Sequence, residues 1–391
     1  MMDKVRFGII GIGNMGSSHA KYLSAGEING AELTAVCDIN PSREAWAKKN
    51  LPETVAFFKD YKELLASGRV DAVLIATPHY LHPVIAIDAF KAGLNVLSEK
   101  PVGVYTKKVL EMYDVAKESG KTFGVMFNQR TNPAFKKARE LVQSGELGEL
   151  KRCVWIITDW YRTQNYYDSG TWRATWEGEG GGVLLNQCPH NLDLWQWIFG
   201  MPKAIRAEMS FGKYHNIEVE DDVTAYAEYE NGATGVFIAS TGEAPGTNRL
   251  EISGSRGKLK YEGGKLTFYR NQTDEREFCF DKNSPKFGKP IVDTIEVGIE
   301  TPKLIEHRAI TQNFTNHLLN GEELIASGFD GIKGLSISNA MHLSAWTGRK
   351  IELPIDGDEF LTELNKRREN SKFKKTVGSD EVADLSGTFG S

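Results

Sequence analysis

The feature that most constrains this chain is Gly11-Ile12-Gly13-Asn14-Met15-Gly16, set after the apolar run Val5 to Ile10 and before a helical pattern that begins near Ser17. In a G-x-G-x-x-G loop between a buried strand and a helix, the first glycine permits a tight turn. The second lets a pyrophosphate approach the backbone, and the third lets helix and strand pack closely. The free N–H groups and the dipole of the following helix then face the phosphates. Asp38 lies 22 residues after Gly16, at the end of the next apolar run, Leu33 to Cys37. A carboxylate there accepts hydrogen bonds from adenosine ribose hydroxyls and repels a 2′-phosphate. Gly11, Gly13, Asn14, Met15, Gly16 and Asp38 therefore predict a dinucleotide site that favours NAD over NADP, a preference that the nearby Arg43 can soften.

Further short apolar runs follow at Ala72 to Ala76, Asn95 to Leu97 and Thr122 to Met126. Helical patterns at Ser17 to Leu23, Pro83 to Ala92 and Lys107 to Glu118 alternate with the runs. Strands that are apolar throughout need cover on both faces, and helical crossovers supply it, so this part predicts a doubly wound parallel sheet. After about residue 150 the pattern changes. Lys151 to Thr158, Ala204 to Ser210, Val223 to Tyr229, Thr234 to Ser240 and Arg249 to Ser253 read as strands joined by short turns such as Glu230-Asn231-Gly232. Such links predict one large, open, mostly antiparallel sheet. Helical patterns return at Pro302 to Leu319 and Gly331 to Thr347. The expected fold class is α/β, with a dinucleotide-binding domain over 1–128 and a second α/β domain over 129–368. The last helical segment of the second domain is expected to pack back towards the first, and a polar tail covers 369–391.

The weak acidic balance, a formal charge of −5, argues against a nucleic-acid partner, which needs clustered positive charge. No apolar segment reaches the roughly 18 residues needed to span a bilayer. The N-terminus shows no signal-peptide pattern. Cys37, Cys153, Cys188 and Cys279 lack metal-site or disulfide spacing, so reduced thiols, a cytoplasmic location and no metal are expected.

Several ordered motifs resemble one family. They are Ile75-Ala76-Thr77-Pro78 through His82, Glu99-Lys100-Pro101, Asn128-Gln129-Arg130 with Pro133-Ala134-Phe135, and Gly180-Gly181-Gly182 through His190 and Asp193. Leu250 through Gly257 and Ser344 through Pro354 complete the set. Over residues 5 to about 355 the chain resembles the glucose–fructose oxidoreductase/inositol dehydrogenase (Gfo/Idh/MocA) family. The resemblance implies an N-terminal Rossmann domain and an open C-terminal sheet that forms homo-oligomers, dimer to hexamer. It implies reversible hydride transfer between a sugar or cyclitol carbon and a nicotinamide. It also implies a cis bond before Pro101 and cofactor contacts from Thr77, Pro78, His82, Glu99, Lys100 and Asn128.

Oxidising a secondary alcohol needs a group to take the hydroxyl proton and a nicotinamide to take the hydride. Lys100 stands just past a strand's carboxyl end, where ligands of such sheets bind, and its ammonium can stabilise a developing alkoxide. An unperturbed imidazole titrates near neutrality, so His190 suits a general base. Its residue type alone favours a hydrogen-bonded core histidine, and it is the resemblance that turns the reading to a base. Asn186, His190 and Asp193 stand at i, i+4 and i+7, one helical face, unless Pro189 starts the helix and leaves Asn186 in the loop before it. Many relatives carry an aspartate where this chain has Asn186. An amide cannot take a proton, which leaves His190 and Lys100 as the proton-handling pair and Asn186 to orient substrate hydroxyls. The stretch Trp160 to Tyr167 with Trp172, Arg173 and Trp176 is dense in aromatics, which suits either a pyranose face or a core. Tyr161, Arg162 and Arg173 carry polar ends and are the expected substrate contacts.

The resulting expectation is NAD-dependent oxidation of a sugar or glycoside hydroxyl, at C3 by the Leu185-Asn186-Gln187 and Trp172-Arg173 context. NAD would be tightly bound, and a downstream lyase would act on the keto product. An inositol or nucleotide-sugar dehydrogenase, an oxidation–elimination glycosidase and a non-catalytic sensor are the alternatives.

Overall fold

Helices cover both faces of a six-stranded sheet in the first part of the chain. A computed structural model describes residues 3–371 other than 301, 303 and 305. Its first strands are β1 (Val5–Ile10), β2 (Ala31–Cys37), β3 (Ala56–Phe58), β4 (Ala72–Ile75), β5 (Asn95–Ser98) and β6 (Phe123–Val125). They pair in the order β3-β2-β1-β4-β5-β6, all parallel, so the chain reverses its winding direction between β1 and β4. Ligands of such sheets bind at that switch point, beyond the strands' carboxyl ends. The crossovers are α1 (Asn14–Ser24), α2 (Pro41–Asn50), α3 (Tyr61–Ala66), α4 (Leu81–Lys91) and α5 (Thr106–Ser119).

The second part adds α6 (Pro133–Gln143), β7 (Leu150–Ile157), α7 (Gln164–Asp168), α8 (Pro189–Phe199), β8 (Ala204–Phe211), β9 (Glu220–Glu228), β10 (Thr234–Ser240) and β11 (Asn248–Gly254). It continues with β12 (Gly257–Glu262), β13 (Lys265–Asn271), α9 (Glu275–Phe280), β14 (Val292–Glu296), α10 (Glu306–Asn320), α11 (Gly331–Thr347), β15 (Ile351–Glu352) and α12 (Gly357–Glu369). Nine strands form one sheet in the order β14-β13-β12-β11-β7-β10-β9-β8-β15. Its pairs are antiparallel except β7 with β10, in line with the mostly antiparallel sheet expected. Period-two alternation sets the two faces. In β9, Val223, Ala225 and Ala227 are buried while Thr224 and Tyr226 are exposed, so one face meets helices and the other is open.

The two parts are joined by packing and by charge. Phe314 of α10 packs on Phe7 of β1, so this late helix covers a face of the first sheet. Arg130 binds Asp193 of α8 through two hydrogen bonds of 2.8 and 2.6 Å, and Asp330 through a third of 2.8 Å. α12 packs on α11 and α5, with Phe360 stacked on Trp346. Of the expected polar tail, 372–391 lies outside the described residues.

Among the described residues no helix is long and apolar enough to cross a membrane. No cluster of three or more His, Cys, Asp or Glu among them is placed to hold a metal ion.

Candidate functional site

The carboxyl ends of β1, β2, β4 and β5 open onto a cleft of about 730 Å³. That volume lies within the range of small-molecule and cofactor sites. The glycine loop forms one end. Gly11 has φ +86°, which disfavours a side chain, and a Cβ there would lie 2.7 Å from the Ala76 carbonyl oxygen. A Cβ on Gly16 would strike the Gly11 carbonyl oxygen at 1.8 Å, so this glycine permits the helix to pack. Gly13 differs, because a Cβ there would meet nothing within 4 Å. It borders open space, just where α1 begins with no side-chain cap on its N–H groups. This cradle fits a pyrophosphate.

Asp38 braces the same loop. Its carboxylate accepts the Ile12 N–H at 2.9 Å and the Asn40 N–H at 2.9 Å, and it lines the cleft beside Arg43 and Lys59. Asn14, Met15, Thr77, Pro78, His82 and Glu99 line the cleft as well. Asn128 does not. It is fully buried, with its amide nitrogen 3.3 Å from the His307 ring.

The Lys100–Pro101 peptide is cis. His82 holds this turn, with Nδ1 2.7 Å from the Pro101 carbonyl and Nε2 2.6 Å from the Thr77 carbonyl. Glu99 is anchored behind it. One oxygen lies 2.7 Å from His19 Nε2, and the other accepts the Lys100 N–H at 3.1 Å. Burial alone would raise the Glu99 pKa, but His19, His307 and Lys100 hold it well below the carboxylate range. Lys100 itself is half-buried. Burial pushes its pKa below that of an ordinary lysine, and Glu99 and Glu179 oppose the shift. Its Nζ donates to the Asn186 main-chain carbonyl at 2.8 Å.

Asn186 lies in the turn before α8, because Cys188 caps that helix and Pro189 occupies its first turn. Asn186 therefore does not share a helical face with His190 and Asp193. Asp193 turns to Arg130, with side chains 1% and 2% exposed, and belongs to the junction between the two parts. His190 is 6% exposed and does not line the cleft. Its Nδ1 is buried with no hydrogen-bond partner among the described residues, and its ring edge meets Phe127. Burial, then Lys100 and His307, push its pKa well below the usual histidine value.

The aromatic stretch divides. Tyr167 and Trp176 are core, while Trp172 and Arg173 line the cleft. Tyr161 is 48% exposed and Arg162 stacks on Trp160 and Tyr166, and neither reaches the cleft wall. The sequence places Trp172 and Tyr166 in an aromatic stretch and His79 beside Thr77-Pro78, but it assigns none of the three a contact in the site. The Trp172 ring packs edge-on against His79 at 5.6 Å. The Tyr166 hydroxyl accepts from Arg173 at 2.8 Å and donates to Asn186 Oδ1 at 3.1 Å.

Comparison with known proteins identifies the family. Residues 5–127 match the family described as oxidoreductase family, NAD-binding Rossmann fold, and residues 135–260 match the GFO/IDH/MocA C-terminal domain. The chain is 25% identical to levoglucosan dehydrogenase of Pseudarthrobacter phenanthrenivorans, over 90% of this chain and 99% of that one. It is 28% identical to myo-inositol 2-dehydrogenase of Thermotoga maritima, over 89% and 98%. Among solved structures it resembles the WlbA dehydrogenase from Bordetella pertussis in complex with NADH and UDP-GlcNAcA. The TM-score there is 0.75 and the identity 27%, covering 90% and 98% of the two chains. With a glycine cradle, Asp38 and a half-buried lysine on one cleft, the chain belongs to the Gfo/Idh/MocA family of oxidoreductases and is an NAD-dependent enzyme.

Proposed function

We propose that the protein oxidises a secondary hydroxyl of a sugar or glycoside, at C3, to the keto sugar. The observation that carries this reading is the position of Lys100. It stands on the cleft wall between the glycine loop and the Trp172–Arg173–Asn186 side, tied to Asn186. Bound NAD supplies the hydride acceptor. Lys100 keeps N–H groups beyond the one given to Asn186, and these can hydrogen-bond the reacting oxygen and stabilise its developing charge. His190 is held neutral at neutral pH, since its pKa is pushed down, and a neutral imidazole with a free Nδ1 can take the hydroxyl proton. Because His190 does not line the cleft, this reading places the reacting hydroxyl at the inner end, beside Lys100. Trp172 offers a flat apolar face for a pyranose ring, and Arg173 with Asn186 offers polar groups to its hydroxyls. Glu99, His82 and the remaining cleft residues hold the cofactor end, with Asp38 on the adenosine ribose.

The relatives' names support a sugar or cyclitol substrate, since levoglucosan and inositol dehydrogenases align over nearly their whole length. A nucleotide-sugar dehydrogenase is the second reading. It is favoured by the likeness to the Bordetella protein, whose complex holds UDP-GlcNAcA. A homo-oligomer through the open face of the nine-stranded sheet, retention of NAD between turnovers, and a lyase that consumes the keto product complete the proposal. The test is NADH formation against a panel of glycosides, inositols and nucleotide sugars. Turnover of a glycoside supports the reading, and turnover confined to nucleotide sugars replaces it with the second.

A further inference from the structure

Glu179 lies at the end of the loop that carries Trp172 and Arg173, and it is 1% exposed. It does not line the cleft, yet both its oxygens are engaged beside it. Oε2 accepts the Ala174 N–H at 2.5 Å, and Oε1 accepts the side-chain amide of Asn186. Both partners are N–H donors, the arrangement that suits an ionised carboxylate. Burial pushes the Glu179 pKa up, while Arg173 and the two N–H donors oppose it.

An ionised carboxylate can only accept, and this fixes the direction of every bond beyond it. Asn186 must turn its NH₂ to Glu179, so its Oδ1 faces the other way. There it accepts from the Tyr166 hydroxyl at 3.1 Å and from Gln187 Nε2 at 3.2 Å. Tyr166 has then spent its proton, and its oxygen accepts from Arg173 at 2.8 Å and from Gln187 at 3.2 Å. The relay Glu179–Asn186–Tyr166–Arg173 has one polarity, and its members Asn186 and Arg173 stand on the cleft wall beside Lys100.

We propose that Glu179 is a positioning residue for substrate recognition: it sets which way the Asn186 amide points and so which donors and acceptors that wall presents to a sugar. This deepens the proposed function and rests on it for the identity of the ligand. The Asn186 amide and the Glu179 carboxylate form one complementary pair. A second complementary pair exists, with the carboxylate at position 186 and the amide at 179. Mixed combinations are not complementary. Two carboxylates in contact repel, and two amides leave the direction of the relay unspecified.

The experiment compares the wild type, E179Q, N186D and the double variant E179Q/N186D, each loaded with NAD. E179Q should raise the sugar KM about tenfold with kcat changed less than about threefold and NADH affinity unaltered, since it disturbs a recognition wall and not the cofactor cradle. N186D should lower kcat/KM by about 100-fold or more and lower Tm by several degrees, because it sets a second carboxylate against the buried Glu179. E179Q/N186D should regain about tenfold or more of the kcat/KM lost in N186D, together with most of the Tm. A purely structural role for Glu179 would restore the Tm in the double variant as well, but it would leave the sugar KM of E179Q unchanged. Losses that simply add, or a sugar KM in E179Q equal to the wild type, would overturn the proposal. If the wild type oxidises no sugar, the proposed function fails, whereas the Tm values of the four proteins still decide whether the pair is coupled.

Discussion

The Lys100 ammonium donates a 2.8 Å hydrogen bond to the main-chain carbonyl of Asn186, 86 residues further along the chain. That bond ties the carboxyl end of the first sheet to the turn that opens α8, and it fixes where a proton donor stands in the cleft. Replacing Lys100 with methionine keeps the stem and removes the donor. Hydride transfer should fall by about 100- to 10,000-fold, the span expected when an alkoxide-stabilising group is lost. NADH affinity, read by fluorescence titration, should stay within a few-fold of wild type. A variant that turns over normally would remove Lys100 from the chemistry.

Two glycines of one loop should behave differently. Gly13→Ala adds a methyl to open space, so the protein should keep its Tm while losing about tenfold or more in NAD affinity, as the methyl displaces the pyrophosphate. Gly16→Ala drives a methyl to 1.8 Å from the Gly11 carbonyl oxygen, so both Tm and NAD binding should fall. Equal effects on Tm would contradict the packing described. Calorimetry of the two apo proteins makes the comparison.

Asp38→Ala removes an acceptor for the ribose and a brace on the Ile12 N–H. NAD should weaken by about tenfold or more, and the preference for NAD over NADP should narrow, because the repulsion of a 2′-phosphate goes with the carboxylate. Titration with both dinucleotides tests this, and an unchanged ratio would remove Asp38 from the discrimination.

Arg130 and Asp193 are buried together, 2% and 1% exposed. Arg130→Met leaves the Asp193 carboxylate without its main partner and should cost about 3–5 kcal/mol in unfolding free energy. The double variant Arg130→Met/Asp193→Leu should recover most of that loss. A single variant as stable as wild type would mean that the pair contributes nothing to the junction.

His79, His82, His190 and His307 all have pKa values lowered by burial, His307 to about 4. Each binds fewer protons folded than unfolded below pH 6.5. Stability is therefore full above the ordinary histidine pKa and is lost as the pH falls through the folded values, with a slope of up to about 1.4 kcal/mol per pH unit for each group. Urea unfolding should show ΔG dropping between pH 6.5 and about 4, more gently in His307→Asn. A flat profile in that interval would contradict the burial of these rings.

The sequence reading reached the first sheet through short, mostly apolar runs, and the strands β7 to β11 through alternation. It missed α2 because that helix buries only Ala47 and so carries no apolar stripe, although Asn40 and Pro41 mark its start. It missed β3, a strand of three residues. In the cleft, glycine spacing and the Glu99-Lys100-Pro101 run were legible because local geometry fixes them. The side occupied by Trp172, Tyr166 and Glu179 was not. Nothing in spacing distinguishes an aromatic that lines a cleft from Tyr167 or Trp176, which are buried in the core, and a buried glutamate looks like any surface one until its partners are folded around it. Asp193 was grouped with His190 by helical spacing, yet the helix turns it to Arg130.

The most direct test of the central claim follows the hydrogen itself. A methyl glucoside carrying deuterium at every ring carbon is incubated with the protein and NAD, and both products are examined by mass spectrometry and NMR. The account predicts that NADH gains one deuterium and that the sugar carries a new ketone at C3. NADH without deuterium, or a sugar that keeps all its ring deuterium, would contradict it.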